Sequence, residues 1–213
     1  MRIALLGGSF NPPHVGHLMN AYYVLATQEV DKVWLLPVFK HPFAKKLAPF
    51  SDRLRMCELA AARFGGGIEV SRAEADGPGS GKTVETLEYL LKRYPEHQFS
   101  LVIGTDILPE RSKWTAFDRI EQMAQIIVVP RAGFPAPEAK GPPLPEVSST
   151  EVREKLAKGE DVSALVPREV LAYVKEKKLY REALSAARTC ASSPRVGPVC
   201  CCAKKIWARA SAT

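Results

Sequence analysis

Five short apolar runs recur along the first 130 residues, each followed by a stretch with helical periodicity, and this alternation restricts the fold more than any other feature. Residues 3–6, 33–38, 68–71, 99–103 and 126–129 read as strands. Residues 17–27, 51–64, 83–94 and 117–124 read as the helices after them. In 51–64, Leu54, Cys57, Leu59, Ala61 and Ala62 approximate one face, with Ser51 as the expected N-cap. In 83–94, Val84, Leu87, Leu90 and Leu91 share a face, and Pro95 ends the helix.

Strands spaced about 30 residues apart with helices between them predict βαβ units, hence a mostly parallel, Rossmann-like α/β sheet covered by helices on both faces. Ligands of such sheets bind in the crevice beyond the strand C-termini. Gly7, Pro37, Gly104 and Pro130 mark that edge. Residues 131–146, rich in Pro and Gly, read as a loop. A small C-terminal helical part follows. One helix starts at Ser148, spaced from Glu151 as a capping box, and stops at Gly159. A second runs from Pro167 to about Lys177.

The chain carries a formal net charge of +7 and five cysteines. Taken whole, that charge suggests an anionic polymer or membrane as partner. Its distribution argues otherwise. Residues 181–213 hold six basic residues against Glu182, and four of the cysteines, Cys190, Cys200, Cys201 and Cys202. Residues 1–180 carry 24 basic and 22 acidic residues and only Cys57. The organisation expected is a near-neutral domain over 1–180 and a basic Cys/Ala/Ser-rich tail over 181–213, read as disordered. A cysteine-poor body suits the reducing cytoplasm. No run approaches the ~20 apolar residues of a membrane span, and 3–6 is too short for a signal-peptide core. Nucleic acid and membrane are therefore not expected partners of the body. A homo-oligomer stays open.

The chemistry concentrates after the first strand, in Gly7-Gly8-Ser9-Phe10-Asn11-Pro12-Pro13-His14-Val15-Gly16-His17. Glycines let backbone approach a phosphate closely, and a helix N-terminus attracts anions. Imidazoles placed there can donate hydrogen bonds to phosphate oxygens. A plain Gly-rich helix cap is the simpler alternative. A zinc site using His14, His17 and His41 is another, but no carboxylate or Cys sits at ligand spacing. Asp76-Gly77-Pro78-Gly79-Ser80-Gly81-Lys82-Thr83 imitates a P-loop. It has Asp where the first Gly belongs, and several residues separate it from the preceding strand.

The string His14-Val15-Gly16-His17 resembles the H-x-G-H signature of the nucleotidyltransferase superfamily. With Gly-Gly-Ser-Phe-Asn-Pro before it, the motif is similar to that of bacterial nicotinate-nucleotide adenylyltransferases. Gly104-Thr105-Asp106 with Trp114 eight residues on, Thr83-Val84-Glu85-Thr86-Leu87, and Ser148-Ser149-Thr150-Glu151-Val152-Arg153 resemble further family motifs in the same order. The resemblance covers residues 1–180 and none of the tail.

It implies adenylyl transfer from ATP to nicotinate mononucleotide, releasing pyrophosphate, with Mg²⁺ accompanying ATP and no dedicated protein ligand for the metal. His14, His17 and Arg153 would be catalytic. Gly7, Gly8, Ser9, Phe10, Gly16, Gly104, Asp106, Ser149 and Thr150 would join them in holding ATP. Lys45, Thr83, Asp106 and Trp114 would hold the pyridine nucleotide, with Lys46 competing with Lys45 for its phosphate. Plainer roles stand beside these: core packing for Trp114, an N-cap for Thr83, a helix cap for Asp106, and a solvated basic loop around Lys45. The same chemistry on nicotinamide mononucleotide or phosphopantetheine, or a non-catalytic nucleotide- or RNA-binding protein on this fold, are the competing functions.

Overall fold

The computed structural model describes residues 1–40, 47–139 and 141–180. Lys45, Lys46, His41 and the tail 181–213 therefore lie outside the described residues. Five parallel strands form one sheet in the order β3-β2-β1-β4-β5. They are β1 (Arg2–Gly8), β2 (Lys32–Pro37), β3 (Ile68–Val70), β4 (Gln98–Gly104) and β5 (Gln125–Val129). Strand order reverses between β1 and β4, which places the crevice at the ends of those two strands. Gly7-Gly8 and Gly104 lie there, as expected.

Successive side chains of a strand point to opposite faces, so each central strand feeds two cores. Ala4 and Leu6 of β1 pack with Ala21 and Val24 of α1 (Val15–Thr27) and with Cys57 and Ala61 of α2 (Phe50–Ala61). Ile3 and Leu5 pack on the other face with Val84, Leu87 and Leu90 of α4 (Thr83–Arg93) and with Phe117 and Ile120 of α5 (Phe117–Met123). Helices thus cover both faces. A third cluster joins α6 (Ser149–Lys158) and α7 (Arg168–Glu176) to Met56 and Ala60 of α2. Two elements escaped the sequence reading: the four-residue α3 (Ala73–Asp76) and a 3-10 turn over Leu108–Lys113. Both are too short to show a period. No helix among the described residues is long and apolar enough to cross a membrane.

The helix α2 departs from its expected start and phase. It begins at Phe50 with Pro49 as N-cap, so Ser51 sits inside the first turn. The chain is fixed one turn earlier, where the Ala48 N–H donates to the Asn11 side chain at 3.0 Å. The buried face includes Arg53 and Met56, while Leu59 is half-buried and Ala62 exposed. The loop after β5 is pinned by Leu144, which is 8% exposed and donates its N–H to the Pro130 carbonyl at 3.1 Å.

Candidate active site

The segment between β1 and α1 is held from several sides. His14 is the N-cap of α1 and is only 3% exposed. Its N–H donates to His17 Nδ1 at 3.2 Å, so the His17 ring proton belongs on Nε2. The two imidazoles stack with centroids 3.7 Å apart, and the buried Phe10 ring lies 4.7 Å from His17. Gly16 makes the stacking feasible. A Cβ there would stand 3.1 Å from His14 Nδ1 and 3.4 Å from the Val147 side chain. His14 Nδ1 is buried and has no hydrogen-bond partner among the described residues.

Both imidazoles are neutral at pH 7. Burial, with Arg131 second, lowers the His14 pKa from 6.5 to about 4. Burial, then His14 and Arg131, holds His17 well below its ordinary value. A neutral imidazole keeps one N–H for donation and one nitrogen for acceptance.

Helix α6 docks on the same segment. Ser148 caps it by accepting the Glu151 N–H at 3.1 Å, the expected half of the capping box. The Ser149 hydroxyl donates to the Pro12 carbonyl at 3.0 Å. Arg153 donates to the Asn11 carbonyl at 2.8 Å and to the Thr150 hydroxyl at 3.2 Å. Ser149, Thr150 and Arg153 are thus brought to the His14/His17 segment.

Gly104 and Asp106 lie at the end of β4. A Cβ on Gly104 would stand 2.2 Å from Asp106 Oδ1, so the carboxylate folds back over this glycine and a side chain here would displace it. Asp106 is no helix cap: its Oδ1 lies 3.5 Å from Arg131 Nε. The Thr105 hydroxyl accepts the Arg131 N–H at 3.0 Å. Arg131, missed in the sequence, is the basic group nearest in influence to both imidazoles. Its one signal was its place after Pro130, at the edge of the sheet.

Thr83 and Trp114 belong to another cluster. Thr83 is the first residue of α4, half-buried, with Lys82 as the N-cap; the capping alternative for Thr83 does not hold. Trp114 is half-buried, edge-on to Phe117 at 6.0 Å and packed against the core under α4 and α5. Its plainer packing role is therefore real, though part of the ring stays exposed. Among the described residues, no hydrogen bond, ion pair or ring contact joins either residue to the imidazoles. In the imitation P-loop, α3 intervenes after β3, and Lys82 pairs with Glu85 at 3.0 Å.

Sequence reasoning also missed three residues that fasten the segment. Asn11, 2% exposed, accepts from Ala48 N–H and from the Tyr180 hydroxyl at 2.9 Å. Arg53, 1% exposed, donates to the Ser9 carbonyl at 2.9 Å and the Ala48 carbonyl at 3.0 Å. Tyr180 carried no chemical pattern in the sequence, and Arg53 was masked by its place in an otherwise apolar stripe.

Comparison with known proteins agrees with this architecture. The model of the cytidylyltransferase-like family matches residues 5–155. A protein of Anaeromyxobacter sp. (strain K) named "probable nicotinate-nucleotide adenylyltransferase" is 58% identical over 182 residues, 84% of this chain and 96% of its own. One of the same name from Myxococcus xanthus is 51% identical over 180 residues, 84% of this chain and 95% of its own. Plasmodium falciparum nicotinic acid mononucleotide adenylyltransferase, solved with NaAD, superposes with a TM-score of 0.71 at 19% identity, over 84% of this chain and 97% of that one. That likeness concerns the fold.

Proposed function

The chain belongs to the nicotinate-nucleotide adenylyltransferase family of cytidylyltransferase-like proteins, and from that premise we propose that it transfers the adenylyl group of ATP to nicotinate mononucleotide, making nicotinate adenine dinucleotide and pyrophosphate in the cytoplasm. The observation that carries the reading is the stacked, neutral His14/His17 pair at the start of α1, at the switch point of the sheet.

In this reaction an oxygen of the acceptor phosphate forms a bond to the α-phosphorus, and the bond from that phosphorus to the β-bridging oxygen breaks. The attacking oxygen is already anionic, so no general base is needed. Catalysis reduces to holding the two phosphates in line and offsetting charge that develops on the transferring and leaving oxygens. His17, with its proton on Nε2, is a donor for that charge, and His14 stacks beside it. Arg153 has guanidinium donors left beyond its bonds to Asn11 and Thr150, and can reach the triphosphate with them. Mg²⁺ would enter with ATP and would offset charge on its phosphate oxygens. Trp114 offers the exposed part of its ring to the pyridine, and Thr83 a hydroxyl to its carboxylate.

The experiment is direct. Purified protein is given ATP with Mg²⁺ and, in turn, nicotinate mononucleotide, nicotinamide mononucleotide and phosphopantetheine. Pyrophosphate and dinucleotide are measured. Turnover is expected to be fastest with the nicotinate nucleotide. Preference for another acceptor would move the substrate assignment, and no turnover with any would refute the reading.

A further inference from the structure

Arg53 is the largest of the fully buried side chains, and it lies beneath the segment that carries the histidines. Buried charges are normally paired with an opposite charge. Arg53 has no ion pair among the described residues; its acceptors are two neutral carbonyls, Ser9 and Ala48, with the Phe50 ring 5.5 Å below the guanidinium carbon. Holding a cation inside a protein on neutral groups alone is costly. An apolar side chain of similar size would pack there without that cost.

Its partner explains the choice. The Ser9–Phe10 peptide is trans, so its C=O and N–H point in opposite directions from one rigid plane. Arg53 holds the Ser9 carbonyl, and the planar peptide then sets the Phe10 N–H on the side opposite the guanidinium. That N–H meets no acceptor among the described residues. Phe10 has a φ of +45, left-handed backbone that a residue with a Cβ adopts only under constraint. The constraint is visible: the Phe10 ring is fully buried against His17, and the carbonyl before it is tied to Arg53.

We propose that Arg53 is a positioning residue, whose fork on the Ser9 and Ala48 carbonyls aims the Phe10 N–H at the phosphate oxygens of the bound nucleotide. The identity of that nucleotide rests on the adenylyl-transfer reading above; the aiming itself does not. Lysine cannot replace the fork, because a single ammonium cannot hold two carbonyls in the plane a guanidinium sets.

The test uses the full chain as wild type, Arg53→Lys and Arg53→Gln. Pyrophosphate affinity is read by calorimetry, the Phe10 amide by ¹⁵N–¹H NMR, and kcat and KM for both substrates by pyrophosphate release. Arg53→Lys is expected to stay folded, bind pyrophosphate about tenfold more weakly and lose about a hundredfold in kcat. Its KM for nicotinate mononucleotide should stay within about twofold, a split that general destabilisation would not produce. Wild-type pyrophosphate affinity and kcat in folded Arg53→Lys would overturn the proposal. If wild type turns over no acceptor, yet pyrophosphate shifts its Phe10 amide and fails to do so in Arg53→Lys, the substrate reading fails and the aiming role stands. If neither variant folds, the wild-type titration decides: a Phe10 amide that pyrophosphate leaves unmoved overturns the proposal, and one it shifts supports it.

Discussion

Arg153 Nη1 donates to the main-chain carbonyl of Asn11 at 2.8 Å, joining residues 142 apart in sequence. One bond thereby locks the N-terminal half of α6 to the segment that carries both histidines. The side chain expected to meet the triphosphate is also a structural tie, so it reaches any ligand from a fixed base rather than from a free rotor.

Arg153→Lys keeps a charge but loses the forked geometry. Steady-state kinetics should show kcat/KM for ATP reduced by about tenfold or more, with smaller change for the acceptor. Arg153→Ala should also cost about 1–2 kcal/mol in urea denaturation, because the Asn11 carbonyl loses its donor. An Arg153→Lys enzyme with wild-type kinetics would remove Arg153 from the phosphate site.

His17 and Lys82 give opposite expectations. His17→Ala removes the ring that accepts the His14 N–H and carries its donor on Nε2, and should lower kcat by about a hundredfold or more. Lys82 is paired with Glu85 and half-exposed, so Lys82→Ala should leave pyrophosphate release nearly intact. The reverse pattern would transfer the site to the imitation P-loop.

Gly16→Ala is a steric probe of the imidazole pair itself. The added methyl would press on the His14 ring at 3.1 Å and on Val147 at 3.4 Å, across the contact between α1 and the start of α6. Thermal melts should show a loss of about 1–3 kcal/mol. Activity should fall further than that loss explains, since the imidazole stack itself is displaced.

Stability should depend on pH through the histidines. The folded His14 pKa is lowered to about 4, while the unfolded chain titrates near 6.5. Between these values the unfolded state binds the extra proton, so stability is full above pH 6.5 and declines as pH falls towards about 4. The loss from His14 is up to about 3 kcal/mol. His17, also lowered, acts in the same direction. Urea denaturation at a series of pH values should show a shallower acid slope in His14→Gln; an unchanged slope would assign the acid sensitivity elsewhere.

Tyr180 sets where the chain can be cut. Its hydroxyl donates to Asn11 Oδ1 at 2.9 Å, joining residues 169 apart. Truncation after Tyr180 should leave activity and melting temperature unchanged. Truncation after Lys178 should lower both, and Tyr180→Phe should cost about 1 kcal/mol. Loss of activity in the longer truncation would give residues 181–213 a role.

The amino-acid sequence by itself determined the parallel α/β architecture, the edge where chemistry gathers and the segment that carries it. Those properties are local: strand runs, helix periods, the glycines before His14 and the capping pair Ser148/Glu151 are all written within a few residues of one another. Tertiary structure alone decided which groups meet. The pairing of Asp106 with Arg131, and the ties of Arg53 to Ser9, Arg153 to Asn11 and Tyr180 to Asn11, join residues 25 to 169 positions apart. No periodicity reports such partners. The phase of α2 shows the limit clearly. A polar residue in an apolar stripe reads as an interruption, yet Arg53 is the largest of the fully buried side chains, because a carbonyl contributed by a different strand end is waiting for its guanidinium. A buried donor is stabilised by the acceptor it finds in space, and that acceptor is fixed only when the sheet brings β1 and α2 together.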